Sequence, residues 1–586
     1  MTGLLGFAPH GLHPLHTLYA PHALQQFAAA AADSAADLPI SIELTRVDRI
    51  AAGWLLPTLI GLPLLVALVL LVARRINDHA ATRIAVVAAS ATLALAVLAA
   101  TAAAPFDTGQ PGITVDWLWI PAFGVHFHLG IDGISVPLVL LTSLLGLLVC
   151  WHAVRVRPEA GRARSLVACY LAVEGGALAT FTALDAVVFF LAFEVVLVPM
   201  WFVIAVWGDD RPPAGEQGRR DAANRFILYT ALGSAVMLLG LLLVSLRAGT
   251  TDLEALAHRG GAGLGTGVQT VAAALIVAGL AVKAPAFPLH NWLPPAHTIA
   301  PTGGSMLLAG VLLKMGTYGL IRVAVPVVPA GVRAIAPVLA TLGVAGILWA
   351  GLACFVERDL KRLIALSSVA HMGFVLLGVA SMTPQGLQGA LFANIAHGLI
   401  TGLLFLVVGG IKDRHHSADL AAIGAGLRDR VPRLGWLLAF GAIAGLGLPG
   451  LAGFWGELLV IVGTWNGGDT LHGLARPLAV AAAIGTVVAA AYLLRVLRLI
   501  WHGSAQAGVM ASPGITPSAR AVAAADPAIA PVALAGRFIG DATRHEVAVA
   551  APLVTATVVF GLLPWLLLNI TGPAVRVLLL FSGGTP

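Results

Sequence analysis

Seven ionisable side chains stand in stretches of this chain that are otherwise apolar. Glu174 lies in CYLAVEGGALATF, Glu194 in VVFFLAFEVVLVPM, Lys283 in GLAVKAPAFP and Lys314 in LLAGVLLKMGTYGL. His371 follows in SSVAHMGFVLLG, His397 in FANIAHGLITGLL and Glu457 in LPGLAGFWGELLV. A charged group at the centre of a membrane helix costs about 2.5–3.5 kcal/mol on insertion scales. One such group can be half of a structural ion pair, and one histidine can be a satisfied core residue. Seven of them are an expensive way to join helices that apolar packing would join without the penalty. Burial disfavours the charged form of a lysine or a carboxyl, and an opposite charge alongside favours it. A charge moving towards or away from a Glu–Lys pair therefore shifts the lysine between protonated and neutral forms. Glu, Lys, Lys, His and Glu in series, with water between them, can pass a proton along. The set points to a proton or ion pathway, with Glu174 as an additional candidate.

The elements that must hold these groups follow from composition. Of 586 residues, 59% are hydrophobic and only 11% charged, against roughly 25% charged in soluble domains. Mean hydropathy is +0.92. Soluble enzymes, disordered regions and nucleic-acid readers are excluded together. A helix crossing the hydrocarbon core needs about 20 apolar residues, and the chain offers about fourteen such runs. The fold class is an all-α polytopic membrane protein. The seventh run, 268–289, contains Pro285 and Pro288; the twelfth, 435–463, contains Gly447, Pro449, Gly450 and Gly453. Two interrupted helices in corresponding halves point to a site near the bilayer midplane, because irregular backbone is tolerated there only when buried or lining a wet cavity. Alternating the loops puts 24 of the 34 basic residues on one side, the cytoplasmic side by the positive-inside rule, with both termini outside.

Other chemistries lack their residues. There is no phosphate-cradling GxxxxGK[ST] and no GxGxxG opening a βαβ unit. Cys150, Cys169 and Cys354 have no ligand spacing, which argues against a Cys-ligated zinc or iron–sulfur site. His371 and His397 lie on consecutive spans, but no second pair supports haem. His290 and His297 in PLHNWLPPAHT are expected to line a polar loop at a span end. No cofactor or metal site is expected in this chain. Residues 1–50 and 503–546 carry no recognisable motif.

Around these groups the sequence resembles the antiporter-like subunits of respiratory complex I, and within them the M-type branch. LGIDGISVPLVLLTSLL, FFLAFEVVLVPMWFVIAVWG, KAPAFPLHNWLPPAHTIAPTGGSMLLAGVLLKMGTYGLIR, DLKRLIALSSVAHMGFVLLG and GLPGLAGFWGELLV carry the likeness, which runs from about residue 51 to 500. It implies three leading helices over 51–164 after an extension at 1–50. Two inverted five-helix repeats would follow at 165–321 and 360–500, each with one broken helix, linked by 322–359. A cytoplasmic connection at 501–547 and a last span within 548–586, about 548–570, would complete the chain. It also implies that Glu194 and Lys283 form a pair, that Lys314 is a central relay lysine, that His371 and His397 continue the axis, and that Glu457 is the terminal acid. NADH oxidation and quinone reduction would belong to other subunits holding FMN, iron–sulfur clusters and quinone. L-like and N-like antiporter-like subunits would be the neighbours, in a bacterial plasma membrane. The alternative is the homologous subunit of a multisubunit Na⁺/H⁺ antiporter or membrane-bound hydrogenase. A solitary organic-solute transporter is disfavoured by a midplane set made only of ionisable groups.

Overall fold

The computed structural model describes residues 46–73, 75–155, 162–210, 215–503 and 540–582; the expectations for residues 1–45 and 504–539 lie outside the described residues. Helices α1 (Gly53–Val72) and α2 (Asp78–Ala103) lead into a two-stranded antiparallel hairpin, β1 (Ile113–Ile120) and β2 (Val125–Ile131). Then come α3 (Ser135–Ala153), α4 (Ala163–Thr182), and one span that breaks at Val196 into α5 (Ala186–Val195) and α6 (Leu197–Trp207). Helix α7 (Gly215–Ala248) is followed by short α8 (Leu253–Arg259), α9 (Thr266–Lys283) and short α10 (Leu293–Ile299). The span α11 (Thr302–Val327) precedes α12 (Pro329–Val356), α13 (Leu360–Ser381), α14 (Pro384–His415) and short α15 (Leu420–Ile423). Half-helices α16 (Pro432–Gly445) and α17 (Ala452–Trp465) come next, then α18 (Ala475–Val496), α19 (Arg544–Leu562) and α20 (Trp565–Phe581). Among the described residues 13 helices are long and apolar enough to cross a membrane, and α16 with α17 supplies one crossing in two halves.

Both expected interruptions are present. Helix α9 stops at Lys283, six residues before the apolar run ends, because Pro285 disfavours helical backbone at Ala284 and removes a donor. The freed carbonyl of Val282 accepts from Trp292 Nε1 at 2.9 Å. Between α16 and α17 the backbone turns through Gly447 (φ +73°) and Gly450 (φ +94°), left-handed positions that favour glycine. Helix α11 instead stays continuous through two π-helical turns, Leu308–Leu312 and Leu320–Ala324, on either side of Lys314.

The two halves share a backbone device. Asp185 caps the start of α5, accepting from Val187 N at 2.8 Å, and bridges to Asp252, which caps α8. Asp359 caps α13, accepting from Arg362 N at 2.8 Å, and bridges to Asp419, which caps α15. Five spans separate Asp185 from Asp359, so the two bridges sit on opposite membrane faces. That is the arrangement an inverted repeat requires.

The last span differs from the expected 548–570. It ends at Leu562, and Pro564 begins α20. Helix α20, at 17 residues a shorter apolar helix, packs against the ends of other elements. Ile570 packs on Gly133 at the start of α3, Phe581 O on Gly260 at the end of α8, and Arg333 at the start of α12 donates to Ser582 O at 2.7 Å.

Candidate functional site

Three spans are the most enclosed, α11, α13 and α14, each with 94% of its apolar window buried. They carry Lys314, His371 and His397. Lys314 is fully buried; its Nζ donates to the Ala309 carbonyl in the π-turn and lies 2.6 Å from His397 Nδ1. A π-turn changes the carbonyl pattern locally and recurs at functional sites; here it lets the ammonium bond its own helix and a neighbouring span together. Among the described residues His397 Nε2 has no hydrogen-bond partner. The His397 and His371 rings follow edge to face, centroids 5.7 Å apart. His371 Nδ1 lies 3.2 Å from Glu457 Oε1, and Thr486 donates to Glu457 Oε2 at 3.0 Å. A cavity of about 30 Å³ lies among His371, His397 and Glu457, edged by Ser367, Thr401 and Gly445. Its volume is close to that of one water. Four of the seven expected residues are therefore one line, drawn from α11, α14, α13 and α17.

Glu194 and Lys283 are placed together less directly. Lys283 Nζ donates to Phe193 O at 3.5 Å and lies 4.3 Å over the Phe193 ring. Among the described residues no ion pair within 4.0 Å joins Lys283 to Glu194, although the carboxylate's charge reaches it. Glu194 sits at the α5–α6 break, half-buried, and its Oε1 has no hydrogen-bond partner among the described residues. Gly316, two residues beyond Lys314, packs against the end of α9: a Cβ there would lie 2.7 Å from Ala284 N and 3.1 Å from Lys283 Cβ. The lysine-bearing break thus rests on the helix that carries Lys314. Glu174 is fully buried on α4, and among the described residues neither oxygen has a hydrogen-bond partner. Pro285, Pro288 and Pro449 all fall in interhelical breaks.

His290 and His297 do not line a polar loop. Both are buried; His297 stacks on Phe405 (4.5 Å, 4°), and His290 packs on Phe287 and Trp349. The apolar neighbours in KAPAFPLHNWLPPAH fold inward around the break, and the rings go with them. Sequence reasoning also missed Thr486, Thr401 and Asn394, hydroxyl and amide groups that edge the line. Thr317 donates to Asn394 Oδ1 at 2.9 Å, beside Lys314. One signal was available: Thr401 stands four residues after His397, one helical turn away. Two quoted motifs are structural. Asp132 of LGIDGISVP accepts from the backbone of Ile134 and Ser135 at 3.0 Å and pairs with Arg322, at the end of TYGLIR, at 2.7 Å.

A many-span helical chain with two interrupted helices and a buried line of Lys, His and Glu is an antiporter-like membrane subunit. The chain belongs to the NADH:quinone oxidoreductase/Mrp antiporter transmembrane family, whose model matches residues 183–488. It is 36% identical to NADH-quinone oxidoreductase subunit M of Rhodobacter capsulatus, over 89% of this chain and 95% of that one. It is 37% identical to NAD(P)H-quinone oxidoreductase chain 4 1 of Synechococcus sp. (strain JA-3-3Ab), over 76% and 78%. In structure it is similar to a chain of respiratory complex I from Thermus thermophilus with bound NADH (27% identity, TM-score 0.74, 90% of this chain and 100% of that one). A chain of the Mrp complex from Dietzia sp. DQ12-45-1b has the same fold (24%, TM-score 0.73, 90% and 97%).

Proposed function

We propose that this chain is the M-type membrane subunit of a bacterial NADH–quinone oxidoreductase and translocates protons through Glu194, Lys283, Lys314, His397, His371 and Glu457. The observation that carries the reading is the continuous line from Lys314 to Glu457, with hydrogen-bond distances at both ends and room for a water at its one gap. Proton transfer needs hydrogen-bond reach, directly or through one water. The chain acts as part of a translocating oxidoreductase and holds no redox centre itself. FMN, iron–sulfur clusters and quinone belong to its partners, and L-like and N-like subunits flank it in the plasma membrane. The arginine-rich loops face the cytoplasm, with both termini outside. Moving a proton against about 180 mV costs roughly 4 kcal/mol, equivalent to about three units of pKa at 1.36 kcal/mol each.

Lys283→Ala or Glu194→Ala should cut NADH-driven proton pumping and coupled NADH oxidation in vesicles while the complex still assembles. Full pumping in an assembled variant would refute the relay. The family also takes in Mrp antiporters, and purification separates the two readings. Co-isolation with flavin and iron–sulfur subunits supports the oxidoreductase; isolation with antiporter subunits alone supports Na⁺/H⁺ exchange.

A further inference from the structure

Away from the line just described, helices α16 and α19 lie side by side and leave an open groove of about 640 Å³ between them. Arg433, Trp436, Leu437 and Phe440 line it from α16, and Arg544, Val547 and Val554 from α19. The sequence spacing makes these two surfaces. The α16 residues stand at i, i+3, i+4 and i+7, on one face of a helix. Positions 544, 547 and 554 share a face of α19 in the same way, with exposed Ala551 between them. The groove is charged at one end only. Arg433 is in the first turn of α16 and Arg544 begins α19, so both stand at the arginine-rich face, and the lining below them is apolar. From Arg544 to Val554 the helix advances about 15 Å, half of the ~30 Å hydrocarbon core. The groove is one leaflet deep. Exposed Trp436 packs edge to face on Trp501 at 4.9 Å, at the level where amphipathic rings meet the headgroups.

The fold itself gives little reason for these two arginines. A cation in the first turn of a helix opposes the helix dipole. Among the described residues neither guanidinium has a carboxylate within 4.0 Å. The acids nearby are already engaged. Asp541 accepts from the Arg433 and Leu434 amides at 2.9 and 3.2 Å, and Glu546 is held by Arg414. The Arg433 side chain donates to the Ala542 carbonyl at 3.1 Å, and among the described residues the Arg544 side chain has no hydrogen-bond partner. The positive-inside rule accounts for the side on which arginines stand, not for two of them facing one apolar groove.

We propose that this groove binds one anionic phospholipid, its phosphate between Arg433 and Arg544, its glycerol region beside Trp436 and an acyl chain along Leu437, Phe440, Val547 and Val554. A guanidinium presents a planar fork of donors that matches phosphate oxygens. An acyl chain of the same leaflet covers the apolar walls over their depth. A zwitterionic lipid would bring a cationic amine towards the two guanidiniums, and a free phosphate would leave the apolar walls bare. The site therefore selects lipid by headgroup charge.

The test uses the assembled complex in phosphatidylcholine vesicles. Phosphatidylglycerol with a diazirine midway along one acyl chain is added at rising mole fraction and irradiated, and the matching phosphatidylcholine probe is the comparison. Peptides holding Leu437 and Phe440, or Val547 and Val554, should be labelled preferentially by the phosphatidylglycerol probe, with saturation. An arginine near an anionic lipid surface is worth roughly 1 kcal/mol. Arg544→Gln should therefore raise the half-labelling mole fraction about fivefold, and the double variant with Arg433→Gln about thirtyfold. Arg544→Lys, which keeps the charge, should recover most of the single effect. Arg544→Gln breaks no hydrogen bond among the described residues, so the thermal midpoint of the complex should stay unchanged, which separates lost binding from lost folding. Equal labelling by the two probes, labelling that never saturates, or an Arg544→Gln variant that labels like the parent overturns the proposal. No labelling by either probe overturns it as well, since protein would then cover the groove.

Discussion

A single methyl group can test whether water completes the line. Gly445 ends α16 and edges the cavity among His371, His397 and Glu457. An alanine Cβ there would lie 3.2 Å from Leu493 Cδ1 and 3.9 Å from Ile400 Cγ2. The terminal methyl of a leucine can give the few tenths of an ångström needed. Gly445 is outside the set of left-handed glycines, so alanine fits its backbone and should stabilise the helix by up to about 1 kcal/mol. Gly445 lines this cavity of about 30 Å³, and a methyl at that edge narrows it. With ring centroids 5.7 Å apart, His371 and His397 then lose the water that would join them. A positioned acid–base partner is worth roughly 10²–10⁴ in proton transfer. Gly445→Ala should therefore slow coupled pumping about tenfold or more, the remainder being hidden while another step limits. The assay pairs NADH-driven acidification of vesicles with the thermal midpoint of the purified complex. Wild-type pumping with an unchanged or raised midpoint would show that the water gap is not on the route.

Two further predictions concern structure and pH. His128 on β2 bonds Asp252 at 2.7 Å, with Glu254 3.8 Å away and Asp116 near enough to act on its charge. Burial alone would lower the His128 pKa, but these carboxylates outweigh it and raise it above 6.5; burial would raise Asp252, but the histidine and backbone donors bring it below 3.8. The His128 contribution is complete below pH 6.5 and fades as pH rises through its raised value. The Asp252 contribution is complete above pH 3.8 and fades as pH falls through its lowered value. Amide protection in the hairpin, taken relative to the intrinsic exchange rate at each pH, should be greatest between those limits and fall on the alkaline side, and His128→Gln should remove that alkaline fall. Separately, Arg414 holds Glu546 with bonds of 2.9 and 2.7 Å and also binds the Gly540 and Asp541 carbonyls. Arg414→Ala leaves a half-buried carboxylate unpaired and should destabilise α19 docking by about 3 kcal/mol, read as a lower thermal midpoint or as protease access at its N-terminus.

How much was legible in the sequence depended on whether a residue type marks the feature. The stop at Lys283 was readable because Pro285 cannot continue a helix, and the break before Glu457 because Gly447 and Pro449 punctuate an overlong run. The π-turns around Lys314 carry no marker; LAGVL and LIRVA read as plain helix, and they pack on different neighbours, α14 and α9. The bond between Lys314 and His397 joins residues 83 apart, a distance no local pattern encodes. The Glu194–Lys283 proximity came from resemblance, which could not foresee that Phe193 lies under the ammonium. The hairpin was missed because a scan for long apolar runs passes over short strands, and β1 hides its alternation by exposing Trp117, Leu118 and Trp119. The split at Pro564 was missed for a related reason: the apolar run continues through it, although the helix does not.

The geometry also argues for where such a relay would be switched. Lys314 with His397, and His371 with Glu457, are each within direct hydrogen-bond reach. Separating either pair while it is charged would leave an ion uncompensated in the interior, which costs several kcal/mol. That is more than the roughly 4 kcal/mol of one proton's passage across about 180 mV could readily drive twice per cycle. Removing or admitting a water between the pairs involves only about 0–2 kcal/mol. The least costly place to interrupt conduction is therefore the gap between His397 and His371. Its walls include Gly445 at the end of α16 and Gly453 in α17; Glu457 rides on α17, so a shift of α16 at the break changes the cavity while α17 keeps Glu457 beside His371. If the proposed relay runs along this line, the interrupted helix stands beside the step that is easiest to open and close, between the two bonded pairs.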